Sequence, residues 1–128
     1  MSVLVAVVNG ESEIEFDRSK DLAKQQWVYL DKMDEKMDMG IPTGQGNIFA
    51  PTLEQKAQFV ANQLMMAIES GNEQLIAASM AYLAIRLPEL KQVASKEKDG
   101  EQEITLIYDR EYASAQEVKF TRPENLNS

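Results

Sequence analysis

The chain has 128 residues, a net charge of −8 and a pI near 4.5, and it contains neither cysteine nor histidine. The missing cysteine excludes disulfides, thiolate metal sites and cysteine nucleophiles. The missing histidine excludes histidine-dependent triads and carboxylate–histidine di-iron sites. The acidic balance argues against direct contact with nucleic-acid phosphates, which takes clustered Lys and Arg.

Val3 to Val8 is β-branched and apolar on both faces, the pattern of a strand covered on two sides. It has no basic leader and is cut short by Asn9-Gly10, so it does not read as a signal peptide. Asn9-Gly10 is a strong hairpin signal, because both residues tolerate positive φ. Glu11 to Asp17 then alternates, with Ile14 and Phe16 on one face and Glu11, Glu13, Glu15 and Asp17 on the other. Those four carboxylates either meet a basic partner or a cation, or form a charged face that blocks edge-to-edge pairing.

A first helix is expected from about Lys20 to Met39, capped by Ser19 and stopped by Gly40-Ile41-Pro42. Leu22, Gln26, Tyr29/Leu30, Met33 and Met37 recur on it at helical spacing, widened by Ala23 and Trp27. Trp27 and Tyr29, near Met33 and Met37, are candidates for a pocket wall as well as for core packing. Asp31, Asp34/Glu35 and Asp38 form a carboxylate stripe. Oxygen ligands of this kind suit Mg²⁺ or Ca²⁺, but Lys32 and Lys36 interleave with them, as on a solvated helix face. An EF-hand alignment from Asp34 fails, since Lys36 takes a ligand position and Met39 the place of the required glycine.

Gly40 to Pro51 reads as a long irregular loop, and loops of this length are often binding loops. Its Thr43-Gly44-Gln45-Gly46-Asn47 lacks the Lys-Ser/Thr of a phosphate-cradling loop. Thr52 with Gln55 makes a capping box for a second helix carrying Leu53, Ala57, Val60/Ala61, Leu64 and Ala67/Ile68 inward. Ser70-Gly71-Asn72 ends it and starts the next, so the two helices form an antiparallel hairpin. Leu75 to Ile85 runs eleven residues without a charge. Its length and its Ala, Leu and Met content favour a buried helix over a strand. It is too short for a bilayer, which takes about 20 residues. Ala77, Ala81 and Ala84 form a small-residue stripe along it. Pro88 ends or kinks this helix, and Glu89 to about Lys96 is expected to add a further helical turn or two.

Asp99-Gly100-Glu101-Gln102-Glu103-Ile104 echoes Asn9-Gly10-Glu11-Ser12-Glu13-Ile14. Gln102 to Tyr108 is therefore expected as a strand. Two acidic strands repel when paired, so the neutral first strand is expected to lie between them. Glu117 to Phe120 is expected as a short edge strand.

The expected fold is α+β, with a small antiparallel sheet (the N-terminal hairpin plus a strand near 102–108) packed on a bundle of three to four helices around a central αα-hairpin. Residues 1–120 are expected to form one domain and 121–128 a loose tail. The expected function is that of a small acidic, cytoplasmic, non-catalytic interaction or regulatory module, with a protein partner or a second copy of itself in a homodimer. The doubly apolar first strand and the methionine-rich helix call for that extra cover. The expected interaction surface is Glu11, Glu13, Glu15, Asp17, Trp27, Met33, Met37, Ile48 and Phe49. No catalytic, cofactor-binding or metal residue, no cofactor, no nucleic acid and no membrane is assigned. The alternative is a small-molecule or divalent-cation binding protein or enzyme with a pocket under the 40–51 loop.

Overall fold

The structure is a computed structural model that describes residues 3–113. Along the chain run β1 (Val3–Val8), β2 (Glu11–Asp17), α1 (Lys24–Asp38), β3 (Ile41–Thr43), β4 (Gly46–Ile48), α2 (Leu53–Ser70), α3 (Glu73–Arg86), β5 (Gln92–Lys98) and β6 (Glu101–Ile107). The fold is α+β, with three helices, a four-stranded sheet ordered β2-β1-β5-β6 and a two-stranded β3-β4 hairpin. The expected strand at Glu117–Phe120 and the tail at 121–128 lie outside the described residues.

Two hairpins built on the same turn frame the large sheet. Asn9-Gly10 has φ of 51° and 86°, and Asp99-Gly100 has 54° and 80°. Positive φ at both central residues is what a type I′ turn demands, and its twist matches that of the strands it joins. The sequence echo is therefore shared turn chemistry, used once on each side of the sheet.

Three expectations need correction. Glu89 to Lys96 is not helical: after Pro88 the chain turns into β5, with Val93 and Ser95 buried. Leu90 and Val93 fit a helical spacing, but the Asp99-Gly100 turn gives β6 an antiparallel partner immediately before it. The sheet is mixed, because β1 and β5 run parallel in register Val5↔Gln92 to Val8↔Ser95. Only β2 of the two acidic strands lies beside β1; the two are the edges of the sheet, separated by both β1 and β5. The charge argument survives in a different form. On β6, Glu101 and Glu103 lie opposite Lys98 and Lys96 of β5, favourable cross-strand pairs. On β2, Glu15 and Asp17 lie opposite Val5 and Val3, with no base across from them.

Helices α2 and α3 form the expected hairpin. Thr52 Oγ1 accepts from the Gln55 N–H at 3.1 Å, and Gln55 Oε1 accepts from the Thr52 N–H at 2.8 Å. Gly71 takes the left-handed cap at φ 73°, and Asn72 Oδ1 accepts from the Leu75 N–H. One face of the hairpin packs on Leu4 and Ala6 of β1 and Val93 of β5, with α2 beside β6 and α3 beside β2. Helix α1 packs on α3. It begins at Lys24 rather than Lys20, with Ala23 at its N-cap. Ser19 does not cap it, because it lies before the N-cap in the chain; its N–H and hydroxyl instead donate to Asp17 Oδ1, at 2.9 and 2.6 Å.

The charge-free helix is two different halves. Ser79 to Ala84 is buried, while Glu73, Gln74 and Ala77 are exposed. The small-residue stripe is thus split: Ala81 and Ala84 are inside and Ala77 is not.

The second face of β1 is covered within the chain. Val5 and Val7 are buried. Gln92, across from Val5 and on the same face, donates from Nε2 to the Arg110 carbonyl at 3.1 Å. The Tyr112 hydroxyl donates to the Gly10 carbonyl at 3.1 Å. The segment after β6 therefore returns along this face, and the doubly apolar strand gives no reason of its own to seek a partner.

Candidate functional site

Helix α1 presents two flanks of opposite character. On the first, Asp34 reaches both helices of the hairpin. It accepts hydrogen bonds from the Tyr82 hydroxyl, from Lys56 Nζ at 3.2 Å and from Arg86 Nε at 3.0 Å. Lys56 also meets Asp38 at 2.9 Å, and Arg86 meets Asp31 at 2.8 Å while lying over the Tyr82 ring. The carboxylate stripe is thus partnered by cations on α2 and α3, not by the interleaved Lys32 and Lys36. Burial opposes ionisation of Asp34, but the hydrogen bonds from Tyr82 and Lys56 and the charges of Lys56 and Arg86 outweigh it and hold its pKa below the ordinary value. Burial likewise opposes the charge on Lys56, yet Asp38 and Asp34 raise its pKa overall. Burial and the neighbouring Asp34 both push the Tyr82 phenol well up. Every charge here serves helix–helix packing, and among the described residues no group of three carboxylates gathers to hold a metal ion.

Arg18, just past β2, completes this side. Its guanidinium donates to the carbonyls of Ala84 and Leu87, both at 3.0 Å, and of Leu90 at 2.7 Å. It closes the C-terminus of α3, whose last carbonyls have no partner within the helix.

The second flank of α1 lines a cavity of about 250 Å³. Tyr29, Met33, Lys36 and Met37 fall on one face at helical spacing. Gly40, Ile41 and Pro42 of the β3 end make one wall, and Phe59, Val60 and Gln63 of α2 with Leu75 of α3 make the other. The 40–51 segment is not an irregular loop but carries the β3-β4 hairpin, with Ile41 paired to Ile48. Glycine at position 40 has φ 130°, and a Cβ there would lie 3.1 Å from the Phe49 ring. Lys36 and Gln63 have no side-chain hydrogen bond or ion pair among the described residues. Compared with protein-family models, with curated proteins and with solved structures, the chain matches none.

The expected surface residues do not form one site. Met33 and Met37 line the cavity, but Met37 is buried and offers no outer surface. Ile48 is partly buried, and Phe49 is exposed beside Gly40. Trp27 is exposed and does not line the cavity. Glu11, Glu13, Glu15 and Asp17 are exposed on the edge strand β2 and contribute nothing to the cavity lining. A bulge between Ala6 and Val7 leaves Glu13 without a partner and sets Glu11 opposite Val8. Glu11 therefore falls out of phase with Glu15 and Asp17.

Sequence reasoning missed Phe59, Gln63, Lys56 and Arg18. Phe59 and Gln63, four residues apart and beside the buried stripe of α2, carried a usable signal. Arg18 and Lys56 carried none, since each acts on carbonyls or carboxylates far away in the chain.

Proposed function

We propose that this protein is a small non-catalytic interaction module of the cytoplasm that associates with itself through α1. The observation that carries this reading is the run Trp27-Val28-Tyr29, exposed by 43%, 46% and 50%. Trp27 and Val28 are exposed on a helix whose Leu30 and Met37 are buried, and Tyr29 stands between solvent and the cavity it lines. Exposed aromatic clusters of this kind supply the anchors of protein interfaces. The sheet edges are less suited to self-pairing. Two copies of β2 edge to edge would set unneutralised carboxylates against one another. The acids of β2 are accordingly assigned to guarding that edge.

The test is sedimentation equilibrium over a wide concentration range, on the wild type and on Trp27→Glu and Val28→Glu. The expected result is a dimer that either substitution drives to monomer. A wild type that stays monomeric at the highest concentration overturns the reading.

A second reading is favoured by the cavity, in which the protein holds a small molecule beneath the β3-β4 hairpin. A divalent cation is a poor occupant, because no carboxylate is among the lining residues.

A further inference from the structure

The cavity has a chemical bias. Its body is apolar, walled by Met33, Met37, Phe59 and Leu75. The residues with polar side chains along it are Tyr29, Lys36 and Gln63. The ammonium, the amide NH₂ and the phenol can each donate a hydrogen bond. Lys36 and Gln63 are both without a partner among the described residues. On α1, Asp31, Asp34 and Asp38 are answered across a helix interface by Arg86 and Lys56, whereas Lys36, like Lys24, Lys32 and Glu35, has no ion pair among the described residues; of these unpaired charges Lys36 is the one that lines the cavity. A cation and an amide left over at the mouth of an apolar cleft fit a ligand with one negative oxygen group and one hydrophobic body.

Volume limits that body. A dry cavity of about 150 Å³ accepts benzene, and this one is about 250 Å³. There is room within the cleft for one aromatic ring with a short chain. The two methionines give the wall a compliant surface for such a ring.

We infer that the cleft between α1, α2 and the β3-β4 hairpin binds a small aromatic monocarboxylate, its ring between Met33, Met37 and Phe59 and its carboxylate on Lys36 and Gln63. This rests on the second reading above, that the cavity holds a small molecule. The cavity faces the flank of α1 opposite the Asp34 network, so occupancy leaves those ion pairs intact.

The experiment uses the full chain with ¹³C-labelled methionine methyl groups and two probes of equal size, 3-phenylpropionate and neutral 3-phenylpropanol. The expected result is that phenylpropionate shifts the Met33 and Met37 methyl signals, saturably, and leaves those of Met66 and Met80 unmoved. Lys36→Met keeps the aliphatic stem and removes the charge, and it is expected to weaken phenylpropionate about tenfold, the effect of one charge-assisted hydrogen bond. Phenylpropanol binding is expected to be unchanged in that variant, which also shows that the cleft is still formed. Lys36→Arg is expected to retain carboxylate binding. If both probes shift Met33 and Met37 equally and Lys36→Met alters neither, the cavity binds ligands but the carboxylate assignment is overturned. If neither probe moves those signals, the small-molecule reading of the cavity falls, and this inference with it.

Discussion

The two flanks of α1 use their charges in opposite ways. On the Asp34 flank, three carboxylates, one lysine, one arginine and one tyrosine close a network across three helices. On the cavity flank, Lys36 and Gln63 have nothing to bond among the described residues. The same contrast runs along α3, whose buried half carries Tyr82 and ends at Arg86, while its exposed half offers Leu75 to the cavity. The network side has little freedom to change without loss of stability. On the cavity side Met37, Ile41 and Val60 belong to the core, and only the polar ends of Lys36 and Gln63 can vary without loss; polar groups placed beside an apolar cleft are where ligand chemistry is found.

The largest effect that tests this contrast is Asp34→Ala. The carboxylate is about one-quarter exposed, and its removal strands Lys56, Arg86 and Tyr82 together. Asp38 and Asp31 still hold the two cations, so the expected loss is about 2–3 kcal/mol, toward the lower end for a partly buried pair. Thermal unfolding is expected to fall by roughly 10 °C, whereas Lys36→Met on the opposite flank leaves it unmoved. Equal losses from the two substitutions would erase the distinction between the flanks. The pH dependence has a definite sign. The folded pKa of Asp34 is depressed, so its contribution is present above its unfolded value, about 4, and is lost as the pH falls below it. Denaturant titrations of wild type and Asp34→Ala should therefore converge in acid. The raised pKa values of Lys56 and Tyr82 act in the other direction. Their contributions are whole below about pH 10 and are lost as the pH rises above it.

Next in size is Arg18→Ala, which leaves the carbonyls of Ala84, Leu87 and Leu90 without this donor. Bonds from a charged donor are worth about 1.5–3 kcal/mol each in isolation, but they are not additive and water replaces some of them. A loss of about 2 kcal/mol in chemical denaturation is expected. Lysine is expected not to restore it, because three diverging carbonyls need the planar fork. Full rescue by Arg18→Lys would make the contact one of charge alone and remove the geometric reason for placing an arginine there.

How much of this could be read in the sequence divides along the same line. Local chemistry was legible. The Thr52–Gln55 box, the Gly71 cap and the two Asx-Gly turns depend on residues a few positions apart. The buried half of α3 was legible from its lack of charge. Non-local chemistry was not. Nothing near Asp34 announces Lys56 or Arg86, and the adjacent Lys32 and Lys36 point to the wrong partners. β5 is hidden because Leu90 and Val93 carry the i, i+3 spacing of a helix although Leu90 lies before the strand, and only pairing with β6 decides against it. Of the cavity, the methionines and Tyr29 were visible as one stripe, but Lys36 reads as a solvated charge until α2 brings Gln63 beside the same cleft. Eight of the nine residues from which a surface was expected remain accessible to some degree. They do not converge because they sit on separate elements, the edge strand β2, helix α1 and the end of β4, and only Met33 and Met37 of them line the cavity.

The smallest effect concerns the end of the β3-β4 hairpin beside the cavity. Ala50 has φ 49°, in the left-handed region that costs a residue with a Cβ about 1–2 kcal/mol. It also precedes Pro51, which disfavours the helical basin for the residue before it. The conformation is held by closure of the hairpin on α1: the Ala50 N–H donates to the Asp38 carbonyl at 3.3 Å, and Phe49 lies against Gly40. Ala50→Gly removes the strain but adds unfolded-state freedom worth up to about 1 kcal/mol. The net expectation is a gain of about 0.5 kcal/mol, read as a rise of roughly 2 °C in melting temperature. A loss instead would mean that the methyl group is packed and that the strain is compensated locally. A gain means that the hairpin is shut against a bias of the backbone, whereas no residue of the Asp34 network takes a positive φ.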